Sequence, residues 1–373
     1  MKILKVILAG LSVIISMFLV INLYVSTDLV KSNYQEEKEG VVPTGKIVTS
    51  KGYPLEFKKQ WEVTSDNLAN PYSLYKFHDY LIVQDNSSQK PLPVFKVDGV
   101  FSHFIGSWGK GPGEFSRDGH TVIGIQNEQI LIYDRETSRI LSFNISDGHF
   151  VNEKSVSLKT FPYLHGNKLI SRAAVPFDHF AYGVSLLSDL STDTDTTVYG
   201  YYQELKKLLP AKNNHLLKQG DVATDSNSNA FIALNNSSLI IGFDVDGNVI
   251  FMNEEPVNMG ALPDLTKIDL PASLRGGLIS PPLNMFPKHY VSVGVNDDYI
   301  IGVYSGFQIN NRQDFLDADR ANEGSILHIF DKKTSSYLES VDLDVPLRSL
   351  VLDGNDVYAI SVSPEIKLKK FKL

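Results

Sequence analysis

An apolar strand, a turn built on Asp, and a second apolar strand recur along this chain and restrict its fold more than any other feature. The pattern stands at "VFKVDGVFSHF" with its turn near Asp98, at "LSFNISDGHFV" near Asp147, and at "LIIGFDVDGNVIFM" near Asp246. Weaker copies turn near Asp193 and near Lys332, so the successive intervals are 49, 46, 53 and 86 residues. A period near fifty means one supersecondary unit repeated, each unit burying its apolar faces against its neighbours. Asp-Gly at the turn fits a two-residue hairpin, because both residues tolerate the positive φ of a type I′ turn.

Each hairpin is preceded by a further apolar strand pair, as "YLIVQD" precedes "VFKVDG" and "QILIYD" precedes "LSFNIS". Four antiparallel strands per unit is a propeller blade. Five complete units fit between residues 70 and 342. The C-terminal stretch "LRSLVLDGNDVYAISVSPEIKLKKFKL" supplies only three strands, and "KKQWEVTS" near residues 58–65 is the strand left over. Letting the first strand complete the last blade closes the ring and removes an exposed edge. The expected fold is therefore all-β, a six-bladed β-propeller over residues 53–373. A helical period appears only at "YYQELKKLLPAK", where Leu205, Leu208 and Leu209 share a face until Pro210.

Ahead of the propeller, Lys2 and Lys5 precede an uncharged run from Val6 past Val25. Some twenty apolar residues at ~1.5 Å rise cross a ~30 Å hydrocarbon core. The flanking lysines keep their end cytoplasmic, which puts residue 28 onward across the inner membrane. Residues 1–27 are thus expected to be a transmembrane signal anchor, with a cleaved signal peptide as the alternative, and residues 28–52 a flexible tether. The net charge is −8, and −10 beyond residue 27 once Lys2 and Lys5 are set apart. Such a surface excludes non-specific nucleic-acid binding, which needs cations to neutralise phosphates. No cysteine is present, so disulfides, thiolate metal sites, cysteine nucleophiles and a lipidated cysteine are all excluded.

"GSWGKGPGEF" at 106–115 follows the last strand of the first blade. It is not a P-loop, since Lys110 is followed by Gly111 rather than Ser or Thr. The glycines permit tight turns, Glu114 is placed to accept backbone amides of the turn, and Trp108 and Phe115 can pack between blades. This loop is similar to the G-x-G-P-G-E-[FY] loop of the six-bladed propellers of Bacteroidota, in the NHL-like and TolB-like group. Gly106, Gly109, Gly111, Pro112, Gly113, Glu114 and Phe115 match it. The closing segment "DDYIIGVYSG…GSILHIFDKKTSSYLESVDLDVPLRSLVLDGNDVYAIS" also resembles that family. The resemblance implies an exported propeller; activity across the family is mostly unassigned. This chain departs from the family in lacking a lipid-bearing cysteine and in carrying Lys332-Lys333 where the family has an Asp-Gly-like turn.

No H-x-H, HExxH, EF-hand or G-x-S-x-G pattern is present, so no cofactor is expected. Propeller ligands sit where loops of several blades converge, and such a site leaves no local motif. Candidate ligand contacts are Trp108, Lys110, Arg172, Arg275, Arg312 and Arg320, since arginine clamps carboxylate or phosphate and tryptophan offers a ring face. The leading reading is a membrane-tethered binding or scaffold module for a protein, peptide or glycan. The alternative is a lactonase- or lyase-like enzyme with a metal at the central channel, drawing on carboxylates such as Asp85, Asp134, Asp225 and Asp297.

Overall fold

The computed structural model describes residues 57–156, 162–165, 168–172, 182–186, 197–199, 220–235, 238–253, 288–307 and 318–373. The expected anchor (Lys2, Lys5, Val6 and Val25), the tether up to residue 52 and the helical candidate at 201–212 lie outside the described residues. Among those described, no helix is long and apolar enough to cross a membrane.

Among the described residues there are six four-stranded antiparallel sheets; in five the strands pair in sequence order, and in the sixth the first strand of the chain pairs with the last. Blade 1 is β2 (Pro71–Phe77), β3 (Tyr80–Asp85), β4 (Pro93–Lys96) and β5 (Phe101–Phe104). The strands β6 (Ser107–Trp108) and β7 (Glu114–Phe115) form a small parallel pair between blades. Blade 2 is β8 (His120–Gln126), β9 (Gln129–Asp134), β10 (Arg139–Asn144) and β11 (Phe150–Ser155). Blade 3 is β12 (Pro162–His165), β13 (Lys168–Arg172), β14 (Tyr182–Leu186) and β15 (Thr197–Tyr199). Blade 4 is β16 (Gly220–Thr224), β17 (Ala230–Leu234), β18 (Ile240–Phe243) and β19 (Val249–Asn253). Blade 5 is β20 (Tyr290–Val295), β21 (Tyr299–Tyr304), β22 (Gly324–Asp331) and β23 (Tyr337–Leu347). Blade 6 takes β24 (Ser349–Asp353), β25 (Asp356–Ser361) and β26 (Lys367–Lys372) from the C-terminus, and β1 (Lys58–Val63) completes it.

The most continuous apolar runs, such as "YLIVQD" and "YIIGVY", are second strands, buried on both faces. Along β3, Ile82 packs toward blade 2 with Ile132, Leu141 and Phe115, while Leu81 and Val83 face Tyr358, Ile360 and Leu368 of blade 6. The same division recurs at β21, where Ile301 and Val303 meet Leu350 and Val357 and Ile300 meets Phe231. Strand alternation turns one apolar run into two packing faces. The core is therefore a set of slabs between adjacent blades, and each fully buried aliphatic side chain contributes about 1.5–3 kcal/mol.

The Asp-Gly hairpins differ from the expected type I′ form. At 96–100, Gly99 N–H donates to Lys96 O at 2.8 Å, Lys96 N–H donates to Val100 O at 2.8 Å, and only Gly99 has positive φ (88°). This is a type I turn followed by a bulge glycine, and the register slips between Val94 and Phe95 as a bulge requires. The Asp supplies an acceptor rather than a left-handed backbone: Asp98 Oδ1 takes Val100 N–H at 3.1 Å. At the Lys332-Lys333 departure, Asp331 Oδ1 takes the amides of Lys333 and Thr334 at 2.9 and 2.7 Å, and Ser335 adopts the positive φ.

β1 pairs antiparallel with β26, with Glu62 opposite Lys369 and Val63 opposite Leu368. The Glu62 carboxylate gathers Lys59, Lys367 and Lys369 at 3.2, 3.3 and 3.1 Å. These lysines pull its pKa from 4.5 down to about 2, with the Lys369 hydrogen bond the largest cause. A carboxyl depressed on folding stabilises the native state above its unfolded pKa, and that contribution fades as pH falls through the folded value. Glu62→Gln in the full chain is expected to melt below the wild type at pH 7. The gap should close as pH falls from about 4.5 toward about 2. Calorimetric melts across that range check this, and a gap that stays constant with pH would remove Glu62 as the cause.

Candidate functional site

The glycine-rich loop is filled by its own side chains. Gly111 N–H donates to Glu114 Oε2 at 2.8 Å, and the Arg139 guanidinium donates to the carbonyls of Gly111, Lys110 and Glu114 at 3.4, 3.3 and 3.2 Å. The anion this cradle holds is thus the Glu114 carboxylate. Trp108 donates its indole N–H to Ser88 O at 3.2 Å and packs edge-on against Phe115 and His120, with the Arg117 guanidinium over its ring. Lys110 is exposed and lies 3.8 Å from Glu136. Arg172 ends β13, opposite Tyr182 in register, and Arg320 is exposed in a 3-10 turn at Ala318–Asn322. Arg275 and Arg312 lie outside the described residues. These positions are not brought together into one cluster among the described residues.

What does converge is set by strand direction. In an antiparallel blade, the start of the first strand and the end of the second lie on one face of the ring. The first strands β2, β8, β12, β16, β20 and β24 all contribute walls to a cavity of about 460 Å³ along the central channel. Polar side chains couple these strands. Asp221 Oδ2 accepts from Ser292 Oγ and Val293 N at 2.8 and 3.0 Å, and burial raises its pKa. Ser292 Oγ in turn accepts Leu350 N–H at 3.2 Å, and Ser349 Oγ accepts Leu74 N–H at 3.1 Å.

A second cavity of about 420 Å³ opens on the face where the first strands begin. Asn70 and Tyr72 reach it from blade 1, Asn235 from blade 4, Lys288 and Asn322 from blade 5, and Arg348 from blade 6. Arg348 donates to Asn70 Oδ1 at 2.7 Å and to Glu323 Oε1 at 3.1 Å. Around this mouth the hydrogen bonding is incomplete. Among the described residues, Asn235 Oδ1 and Arg348 Nε of the lining, and His289 Nδ1 and Ser305 Oγ beside it, are buried without a hydrogen-bond partner. The backbone ties three of these residues together, since His289 N–H donates to Asn235 O and Ser305 N–H to His289 O, both at 2.7 Å. Burial drops the His289 pKa to about 4, so its imidazole is neutral near pH 7. Buried polar atoms are almost always paired in folded proteins, so the orphans Asn235 Oδ1 and Arg348 Nε in the lining mark a place where a ligand or water completes the bonding.

None of the mouth residues was named from the sequence. Asn70, Lys288 and Arg348 each stand one or two residues before the first strand of a blade, and Asn235 directly follows a second strand. Aligning the blade repeats and reading those two positions would have singled them out.

The carboxylates considered for an enzyme are separated by the same strand directions. Asp85 and Asp134 end second strands; Asp225 follows a first strand, and Asp297 sits in the turn after another, at the opposite face. Asp85 takes the amides of Ala69, Asn70, Ser87 and Ser88, and Asp134 takes Ser116, Glu136 and Thr137. Asp225 pairs with Lys332 at 2.8 Å. Among the described residues, no group of three or more His, Asp or Glu side chains is arranged to hold a metal ion.

A family model described as a 6-bladed beta-propeller matches residues 61–240, a little under half of the chain. The resemblance to a propeller family of Bacteroidota holds on that match and on two solved Bacteroides structures. One, a Bacteroides fragilis protein classed as exported, is 14% identical, with 86% of this chain and 95% of that one covered at a TM-score of 0.50. The other, a member of the duf4221 family from Bacteroides vulgatus, is 10% identical, with 85% and 98% covered at a TM-score of 0.54. At such identities the likeness is one of fold. Among curated proteins none matches the chain.

The glycine-rich loop yields a direct check. Gly109 has φ +153°, and a Cβ there would collide with Glu114 Oε2. Gly109→Ala is expected to cost about 2 kcal/mol or more through backbone strain and displacement of the carboxylate. Denaturant unfolding of the full chain measures it, and an unchanged midpoint would mean the loop does not depend on this packing.

Proposed function

We propose that this six-bladed propeller is a non-catalytic recognition module of the cell envelope, held on the outer side of the inner membrane by its N-terminal helix. Its ligand, a protein, peptide or glycan, binds at the polar mouth formed by blades 1, 4, 5 and 6. One observation carries this reading: among the described residues, Asn235 and Arg348 bring buried, unpartnered polar atoms to the wall of a cavity of ligand size, with His289 and Ser305 joined to Asn235 through the backbone. Leaving such atoms unbonded costs about 1–3 kcal/mol each, so a partner that supplies the missing bonds recovers that energy on binding. The placement outside the cytoplasm is supported by the Lys2 and Lys5 flank before an uncharged run, and by the exported class of the Bacteroides fragilis structural relative. A rigid ring carrying loops at its mouth suits recognition, because little ordering entropy is lost when the ligand docks.

The test is a glycan and peptide array probed with the full chain in mild detergent, alongside Asn235→Ala. Retention of a defined glycan or peptide is expected, weakened about tenfold or more by the substitution, as for loss of a buried hydrogen bond. Binding indifferent to Asn235, or turnover of the retained compound, would defeat the reading.

A further inference from the structure

The mouth holds a charge that nothing described balances. Arg348 and Glu323 cancel each other at 3.1 Å. Lys288 lines the same cavity, and its ammonium has no acidic partner among the described residues. Removal from water disfavours the charged amine and lowers its pKa. An uncompensated, partly desolvated cation in a concave site favours an incoming anion, whose own negative charge it offsets.

The remaining walls describe the rest of that anion. Asn70, Asn235 and Asn322 present three carboxamides, and Val291 is the only aliphatic side chain described in the lining. A carboxamide offers a donor pair and an acceptor side by side, matching neighbouring hydroxyls that each donate and accept. Asn235 Oδ1 in particular lacks a donor among the described residues. An apolar ligand would strand these groups, and a peptide would bring side chains for which the described walls offer little apolar surface. Resting on the reading of this mouth as the binding site, we propose that its ligand is an acidic saccharide. The carboxylate of a uronate-type sugar meets Lys288, and its hydroxyls meet Asn70, Asn235 and Asn322.

Titration calorimetry of the full chain in detergent with trigalacturonate and with its methyl ester tests this without any substitution. The ester keeps the hydroxyls and loses the charge. The acid is expected to bind about tenfold or more tightly than the ester, the scale of one desolvated charge-assisted contact. Lys288→Met should bring the acid down to the affinity of the ester. Asn322→Asp, which puts a negative charge into the same wall, should weaken the acid more than the ester. Equal binding of acid and ester, or indifference to both variants, would overturn the acidic assignment. If Asn235→Ala still weakened binding in that case, the mouth would remain the site. A peptide with a free C-terminal carboxylate that bound where the uronate did not would overturn the saccharide assignment alone. Saccharide binding unaffected by Asn235, Asn322 and Lys288 would overturn both readings.

Discussion

The pairing of β1 with β26 is the constraint on which everything else in this molecule depends. Without it, blade 6 would have three strands and an open edge, and the first and last blades would be joined only by side-chain packing and side-chain hydrogen bonds such as Ser349 to Leu74. The five register pairs from Lys58–Lys372 to Val63–Leu368 turn a linear array of sheets into a closed ring. Glu62 reinforces them by drawing together two lysines of β26 that would otherwise repel. Trp61 adds an aromatic contact to Tyr358, whose ring is itself part of the slab shared with blade 1. Closure thus acts through backbone, charge and core together, and it joins residues some three hundred positions apart in the chain.

Closure has a geometric consequence at the centre. Once the ring is shut, the first strands of all six blades line one channel, where their backbones must satisfy hydrogen bonds without a neighbouring sheet strand. Side chains bridge several of those gaps. Ser349 serves Leu74 across the blade 6 to blade 1 boundary, Ser292 serves Leu350, Asp221 serves Val293, and Tyr75 and Gln84 reach Val122 and His120. A network of this kind is strong when every member is paired and costly when one is not. Most of the channel wall follows that rule, with His120 Nε2 an exception, and the mouth around Asn235 and Arg348 breaks it.

The fold was largely legible because its information is local and repeated. Apolar runs such as "YLIVQD" and "YIIGVY" declare strands buried on both faces, Asp-bearing turns punctuate them, and counting strands left "KKQWEVTS" as the closing piece. Turn geometry was less legible. Asp-Gly admits both a type I′ turn and a type I turn with a bulge glycine, and the choice depends on sheet twist, which a dipeptide does not encode. The true tight turn with two positive φ values falls at Asn127-Glu128, a pair with no glycine to advertise it. The mouth was illegible for a different reason. Arg348, Glu323, Lys288 and Asn235 come from three blades and matter only through distances that ring closure creates. The residues that did attract notice, Trp108 and Lys110, stand in a loop with a conspicuous composition. Its conspicuousness reflects the backbone demands of the Glu114 cradle.

That contrast bears on where a propeller keeps its chemistry. The glycine-rich loop offers amides arranged around an anion, yet the anion is built in, so the loop is self-satisfied and its glycines serve geometry. The mouth has the opposite character: ordinary residues and, among those described, bonding left incomplete at Asn235 and Arg348 in its wall and at His289 and Ser305 beside it. Stability alone would favour pairing these atoms or replacing them with apolar groups, since a half-satisfied polar cluster is worse than either. Lys288 adds a cation to the same place and no described acid to balance it. A fold that pairs most of its polar groups along the channel and leaves several open at one end concentrates its unspent bonding capacity there. Charge and hydrogen-bonding capacity at that end are complementary to an anion bearing hydroxyls.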